Sequence, residues 1–88
     1  QRSYFARIAL IPNLQAGSRV LILTGMGTAV TETATEFVLN PRSGDSLPVE
    51  VVRALQQPGS QVEILLKCVP VLEAPYRSEV AAWRVRSQ

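Results

Sequence analysis

The apolar residues of this chain fall into blocks whose period changes from two to nearly four and back again. Residues 4–11, YFARIALI, alternate as a strand: Tyr4, Ala6, Ile8 and Leu10 share one face, and Phe5, Arg7, Ala9 and Ile11 share the other. Only Arg7 breaks the apolar character, so both sides of this strand are expected to be mostly covered. Pro12 to Ser18, PNLQAGS, has loop composition and is too short for a parallel crossover, so the next strand should return antiparallel. That strand, Val20 to Leu23, is apolar at every position, which predicts burial on both faces.

A glycine-bearing turn follows, Thr24-Gly25-Met26-Gly27-Thr28, and beyond it the period becomes helical. Ala29, Val30, Ala34, Phe37 and Val38 form an apolar stripe, while Thr31, Glu32, Thr35 and Glu36 point largely away from it. Thr28 is the candidate N-cap, Glu32 suits the positive end of the helix, and Pro41 should stop the helix near Asn40. Asn40 to Leu47 reads as an exposed loop. Pro48 to Gln57 reads as a second helix, with Asp45 or Ser46 near its cap and Pro58-Gly59 at its end. Its apolar side comes from Val52 and Leu55, helped by Val49 or Val51.

Gln61 to Val69 is a third strand with Val62, Ile64, Leu66 and Cys68 on one face. Pro70 to Arg77 is a connector. Ser78 to Arg86 is a fourth strand, in which Ala81, Trp83 and Val85 oppose Val80, Ala82, Arg84 and Arg86, a pattern suited to a sheet edge. The expected fold class is α/β: a mixed sheet of about four strands in the order β-β-α-α-β-β, both helices on one face, a Rossmann-like fragment. Two doubly apolar strands and helices on one side leave a second sheet face to be covered by the rest of the chain or by a partner.

Composition narrows the class further. Eighty-eight residues, 47% apolar and 18% charged, make one small globular domain rather than a disordered segment. No apolar run approaches the roughly 20 residues that cross a bilayer, so this fragment carries no membrane segment. The start QRSYFAR, with neither Met nor a basic-then-apolar leader, points to a piece excised from a longer chain. The net charge is +2 and the arginines are scattered along the sequence, so no nucleic acid contact is expected from this segment. A single cysteine rules out an internal disulfide and leaves the compartment open, whether cytoplasmic or extracytoplasmic.

The glycine turn is the foremost candidate site. Gly25-x-Gly27 after a strand has the start of a dinucleotide fingerprint, but Val30 stands at the third glycine position, and Asp45 lies in a loop with no strand before it. What survives is a weak anion nest made by Thr24, Gly25, Gly27 and Thr28, set against the simpler reading of a tight strand-to-helix turn. Thr31, Glu32, Thr35 and Glu36 offer an acidic, hydroxyl-bearing helix face. Without a third ligand or any His they make no metal site, and a solvated face is the simpler reading. Cys68 lacks the His that would activate a thiolate and reads as a small core residue. Trp83 reads as a core anchor with its N–H available at the rim. Arg84 and Arg86 could bind a carboxylate or phosphate, but suit better the role of charges guarding an edge strand. With no His, one Asp and no G-x-S-x-G elbow, the chain offers no catalytic residues and calls for no cofactor.

The segments ARIALIPNL, RVLILTGMGT, TETATEFV, VEILLKC and SEVAAWR cover most of the chain. In this order they resemble the C-terminal part of a family of uncharacterised bacterial proteins, in which a PNL…VLIL run leads through a glycine-rich turn to TEAA-EF, and FEVLLK leads to SEV-A-R. TETATEF here departs from the glycine-bearing helix start of that pattern. The resemblance implies a regulatory or sensor-type α/β domain, in some relatives joined to a DNA-binding-type domain of the transcriptional-regulator kind or to a membrane anchor. It supplies no ligand and no site residues. Two functions follow as expectations: a non-enzymatic regulatory or ligand-sensing module acting with the rest of its own chain, or an interaction domain that forms homo-oligomers or other assemblies. A fragment of an enzyme with its catalytic residues upstream is the third.

Overall fold

The computed structural model describes residues 3–13, 18–25, 27–57, 59–71 and 74–86. Strands β1 (Tyr4–Asn13) and β2 (Ser18–Gly25) lead into helix α1 (Thr28–Leu39), a 3₁₀ helix (Pro41–Ser46) and helix α2 (Val49–Leu55), and β3 (Gln61–Val71) and β4 (Ala74–Arg86) complete the chain. The four strands form one sheet in the order β2-β1-β3-β4, and every neighbouring pair is antiparallel. The expected mixed, Rossmann-like sheet is therefore not what forms. Strands β2 and β3 do run in the same direction, but β1 lies between them and turns both contacts antiparallel. The element order also gains a 3₁₀ helix in what read as a loop. Asn40 starts it, its side-chain oxygen accepting from the Arg42 N–H at 2.9 Å, and Pro41 occupies the first turn.

The helices share one face of the sheet, and the core lies between them and it. Ala6 and Ile8 of β1 and Val62, Ile64, Leu66 and Cys68 of β3 meet Val30 and Ala34 of α1 and Val51 and Ala54 of α2. Leu66 pairs with Ala6 in register and is fully enclosed, a burial that favours folding by about 1.5–3 kcal/mol. Thr33 is buried in α1 because its hydroxyl donates to the Ala29 carbonyl at 2.9 Å, which removes the cost of an unpaired polar group.

Several expectations need correction. Strand β2 is an edge, not a doubly covered centre: Val20, Leu21 and Ile22 are 45%, 43% and 36% exposed. On β1 the face of Ala6 and Ile8 is covered, and the other face is covered only in part: Ala9 is buried, whereas Phe5 and Arg7 are exposed. Pro70–Arg77 is not a connector, because β3 extends to Val71 and β4 begins at Ala74. Within β4 a bulge opposite Leu65/Leu66 breaks the simple alternation, so Val80 sides with Trp83 and Val85 toward the helices. Trp83 is no deep anchor, being half-exposed, but its N–H does lie at the rim, where it donates from Nε1 to Glu50 Oε2 over a long 3.5 Å. Helix α2 is shorter than expected and begins after Pro48 rather than after a side-chain cap at Asp45 or Ser46; Val51 and Ala54 form its buried side, and Val49 faces out. Pro58, expected to stop it, and Met26 in the glycine turn lie outside the described residues, as does 14–17 of the first link.

Candidate functional site

The glycine turn joins the edge strand to α1. Gly27, not Thr28, caps the helix, with φ at 101°, a conformation that favours glycine. No side chain caps this end, and Glu32 lies beyond the first turn. The Gly27 carbonyl accepts from both the N–H and the hydroxyl of Thr31, at 3.2 and 3.0 Å. Gly25 is needed for space. A Cβ there would sit 3.1 Å from Thr31 Oγ1 and from Val30 Cγ1, so glycine lets the end of β2 approach the start of α1 closely.

This arrangement brings two of the sequence candidates together. Gly25, Gly27 and Thr28 line an open groove of about 600 Å³ with Thr31, Glu32, Thr35 and Glu36. Thr24 is exposed at the end of β2 and lies outside that lining. The chemistry of the groove differs from that of an anion nest. Thr31 and Thr35 both spend their hydroxyl protons on carbonyls one turn back, the second on the Thr31 carbonyl at 2.9 Å. Its charged groups are the two carboxylates, which repel an anion. Among the described residues no group of three metal-ligating side chains occurs.

The uncovered face of the sheet is where the register assembles a surface that the linear sequence conceals. Cross-strand pairing sets Phe5 beside Lys67, Arg7 beside Thr24 and Leu65, Ala9 beside Ile22 and Glu63, Leu65 beside Ala82, and Glu63 beside Arg84. Phe5 is 42% exposed and Leu65 38%. Arg7 Nη2 lies 3.2 Å from Glu63 Oε1, and Lys67 Nζ lies 3.8 Å from Glu79 Oε1. The Arg7 guanidinium, hydrogen-bonded to Glu63, holds that carboxyl below its ordinary range, and Arg84 adds to the effect. A cleft of about 220 Å³ opens between these residues and the β4 bulge, lined by Arg7, Glu63, Leu65, Ala82 and Arg84.

Charge is also segregated between the layers. Arg7, Lys67, Arg77, Arg84 and Arg86 take the uncovered face through their register, against Glu63 and Glu79: five cations to two carboxylates. The helical segments carry Glu32, Glu36, Asp45 and Glu50 against Arg42 and Arg53. Four arginines that look scattered along the sequence, Arg7, Arg77, Arg84 and Arg86, are thus gathered by the fold. Arg84 and Arg86 share a face by simple alternation, but only the bulge in β4 brings Arg77 to the same side, and the pairing of β3 with both β1 and β4 is needed to add Arg7 and Lys67.

Cys68 is fully buried in the core, and burial pushes its thiol up. No helix is long and apolar enough to cross a membrane among the described residues. No protein family matches this chain, and neither a curated protein nor a solved structure matches it.

Proposed function

We propose that this chain is a non-enzymatic protein-interaction domain whose uncovered sheet face is the contact surface. The observation that carries this is the exposure of Phe5, Ile22 and Leu65 on the sheet face opposite the one that packs against the helices. Apolar side chains interspersed with paired charges suit a protein partner, because apolar area supplies affinity and charges at its margin supply orientation. A nucleic acid is a poorer fit. Phe5 is the sole aromatic ring on that face among the described residues, and Arg7 and Lys67 are paired with Glu63 and Glu79. Such a domain suits a regulatory part of a larger bacterial protein.

The test is Leu65→Glu with dye binding. The folded parent should enhance anilinonaphthalene-sulfonate fluorescence, and the variant should lose most of that signal while keeping its unfolding midpoint. A parent that binds no dye, or a variant that unfolds, would show that the face is no free surface.

Ligand sensing at the glycine-turn groove is a second reading, favoured by the way the fold brings Gly25, Thr28 and the Glu32/Glu36 pair around one depression. Its ligand would be cationic rather than anionic. Thermal shifts with polyamines and with phosphate separate the two chemistries.

A further inference from the structure

We infer that the partner of the uncovered sheet face is an acidic protein segment. It lies extended along β4, with carboxylates on Arg84 and Arg86 and an apolar side chain beside Leu65 and Ala82. This rests on the interaction-domain reading and names the chemistry of its partner.

Charge decides the occupant. Both carboxylates of the face are taken internally, Glu63 by Arg7 at 3.2 Å and Glu79 by Lys67 at 3.8 Å. Arg84 stands opposite Glu63 in register and shares a carboxylate that Arg7 already holds. Among the described residues no carboxylate pairs with Arg77 or Arg86. The unmatched positive charge therefore collects along β4, where Arg77, Arg84 and Arg86 are all exposed. A second copy laid face to face would set these cations against one another. The acidic helical layer of a copy would reach them only in a head-to-tail contact, which runs on as a filament unless its rotation closes a ring. A nucleic acid backbone would meet Glu63 and Glu79 as well as the arginines, and Leu65 and Ala82 offer it nothing.

Geometry narrows the shape of the partner. Arg84 and Arg86 are alternate residues of one strand, so their side chains leave the sheet about 7 Å apart. Carboxylates at alternate positions of an extended segment have the same spacing, and each can take a charge-assisted hydrogen bond from a guanidinium. One step further along the row comes Ala82, which pairs with Leu65. Its small side chain leaves open the cleft of about 220 Å³ that Arg7 and Arg84 flank. The next side chain of the segment on that side thus falls over an apolar floor. Beyond the β4 bulge Glu79 faces outward beside Lys67 and repels a further carboxylate, which fixes where the acidic positions can lie.

Fluorescence anisotropy with three dye-labelled probes tests this: the acetylated peptide Glu-Thr-Glu-Thr-Leu-Thr-Phe, the same peptide with Lys at both Glu positions, and a short DNA duplex. The acidic peptide should bind about ten-fold or more tighter than either other probe, and added salt should remove most of that preference. Arg84→Glu combined with Arg86→Glu should invert the preference toward the lysine peptide with an unchanged circular dichroism spectrum. Sedimentation velocity of the parent should show no self-association that depends on Leu65. An acidic peptide that fails to bind, or binds the doubly substituted protein equally well, overturns the inference, as does tighter binding of the duplex. Equal binding of both peptides, lost in Leu65→Gln, overturns it while upholding the sheet-face reading, and so does a parent dimer that Leu65→Gln dissolves. Failure of that reading would show separately, as the absence of dye binding.

Discussion

Leu65 and Leu66 are neighbours in β3 with the same chemistry and opposite fates. Leu66 points at the helices and is fully enclosed; Leu65 points at the uncovered face and is 38% exposed. The same division shows at the start of β1, where Ala6 and Ile8 are buried and Phe5 is 42% exposed, although the small Ala9 on the face of Phe5 is enclosed by its neighbours. A strand interior that is apolar on both faces is ordinarily covered on both. Here the local fold uses one face for its own stability and leaves the other as spare apolar surface. Residues on the covered face should therefore be costly to change for folding, and those on the other should matter for association.

The largest expected effect divides those two leucines. Leu66→Ala should destabilise by about 2–5 kcal/mol, through lost burial and the cavity left among Ala6, Val30 and Val80. Leu65→Ala should cost under about 1 kcal/mol. Urea denaturation of both variants checks this, and equal losses would mean that the second face is covered in the isolated chain. A smaller effect is expected at the junction of β2 and α1. Gly27→Ala should cost about 1 kcal/mol or somewhat more, since φ of 101° strains any residue with a Cβ although the space around it is open. Ser3→Ala, before β1, is the neutral control in the same experiment.

Acid should weaken the uncovered face first, and only slightly. The folded-state pKa of Glu63 is lowered, so its ionised form contributes stability above the unfolded carboxylate value of about 4.3. That contribution is lost as pH falls through the lower folded value. Because Arg7 and Glu63 remain solvent-accessible, the step should be small and should shrink with added salt. Urea midpoints of the parent and Arg7→Ala between pH 6 and pH 3 should converge on acidification. Cys68 behaves with the opposite sign. Its raised pKa means stability is complete below the unfolded thiol value of about 8.5 and declines as pH rises beyond it. Its reaction with a thiol reagent should therefore follow global unfolding.

Much of the fold was legible in the sequence because hydrophobic period is a local property. The buried set Val62, Ile64, Leu66 and Cys68 follows from alternation alone, and the end of α1 at Leu39 follows from Pro41. Strand order is not local. Val20 to Leu23 has the composition of a central strand, yet its position at the edge is set by β1 pairing with β3 across more than fifty residues of chain. The β4 bulge was hidden for the same reason, since it is a mismatch of register between two strands rather than a feature of either. In the groove, the glycines were found from their turn, but its sign was not. Glu32 and Glu36 decide that, and their proximity to Gly25 depends on α1 folding back along β2. The face formed by Arg7, Lys67, Arg84 and Leu65 required the complete pairing scheme.

The most direct test of a stability face and an association face is site-specific photo-crosslinking in cells. A benzophenone amino acid replaces Leu65 in one version of the protein and Arg53, exposed on α2, in another. The account predicts discrete protein adducts from position 65 and few or none from position 53. Equal adducts from both positions, none from position 65, or adducts at 65 to nucleic acid instead of protein would contradict it.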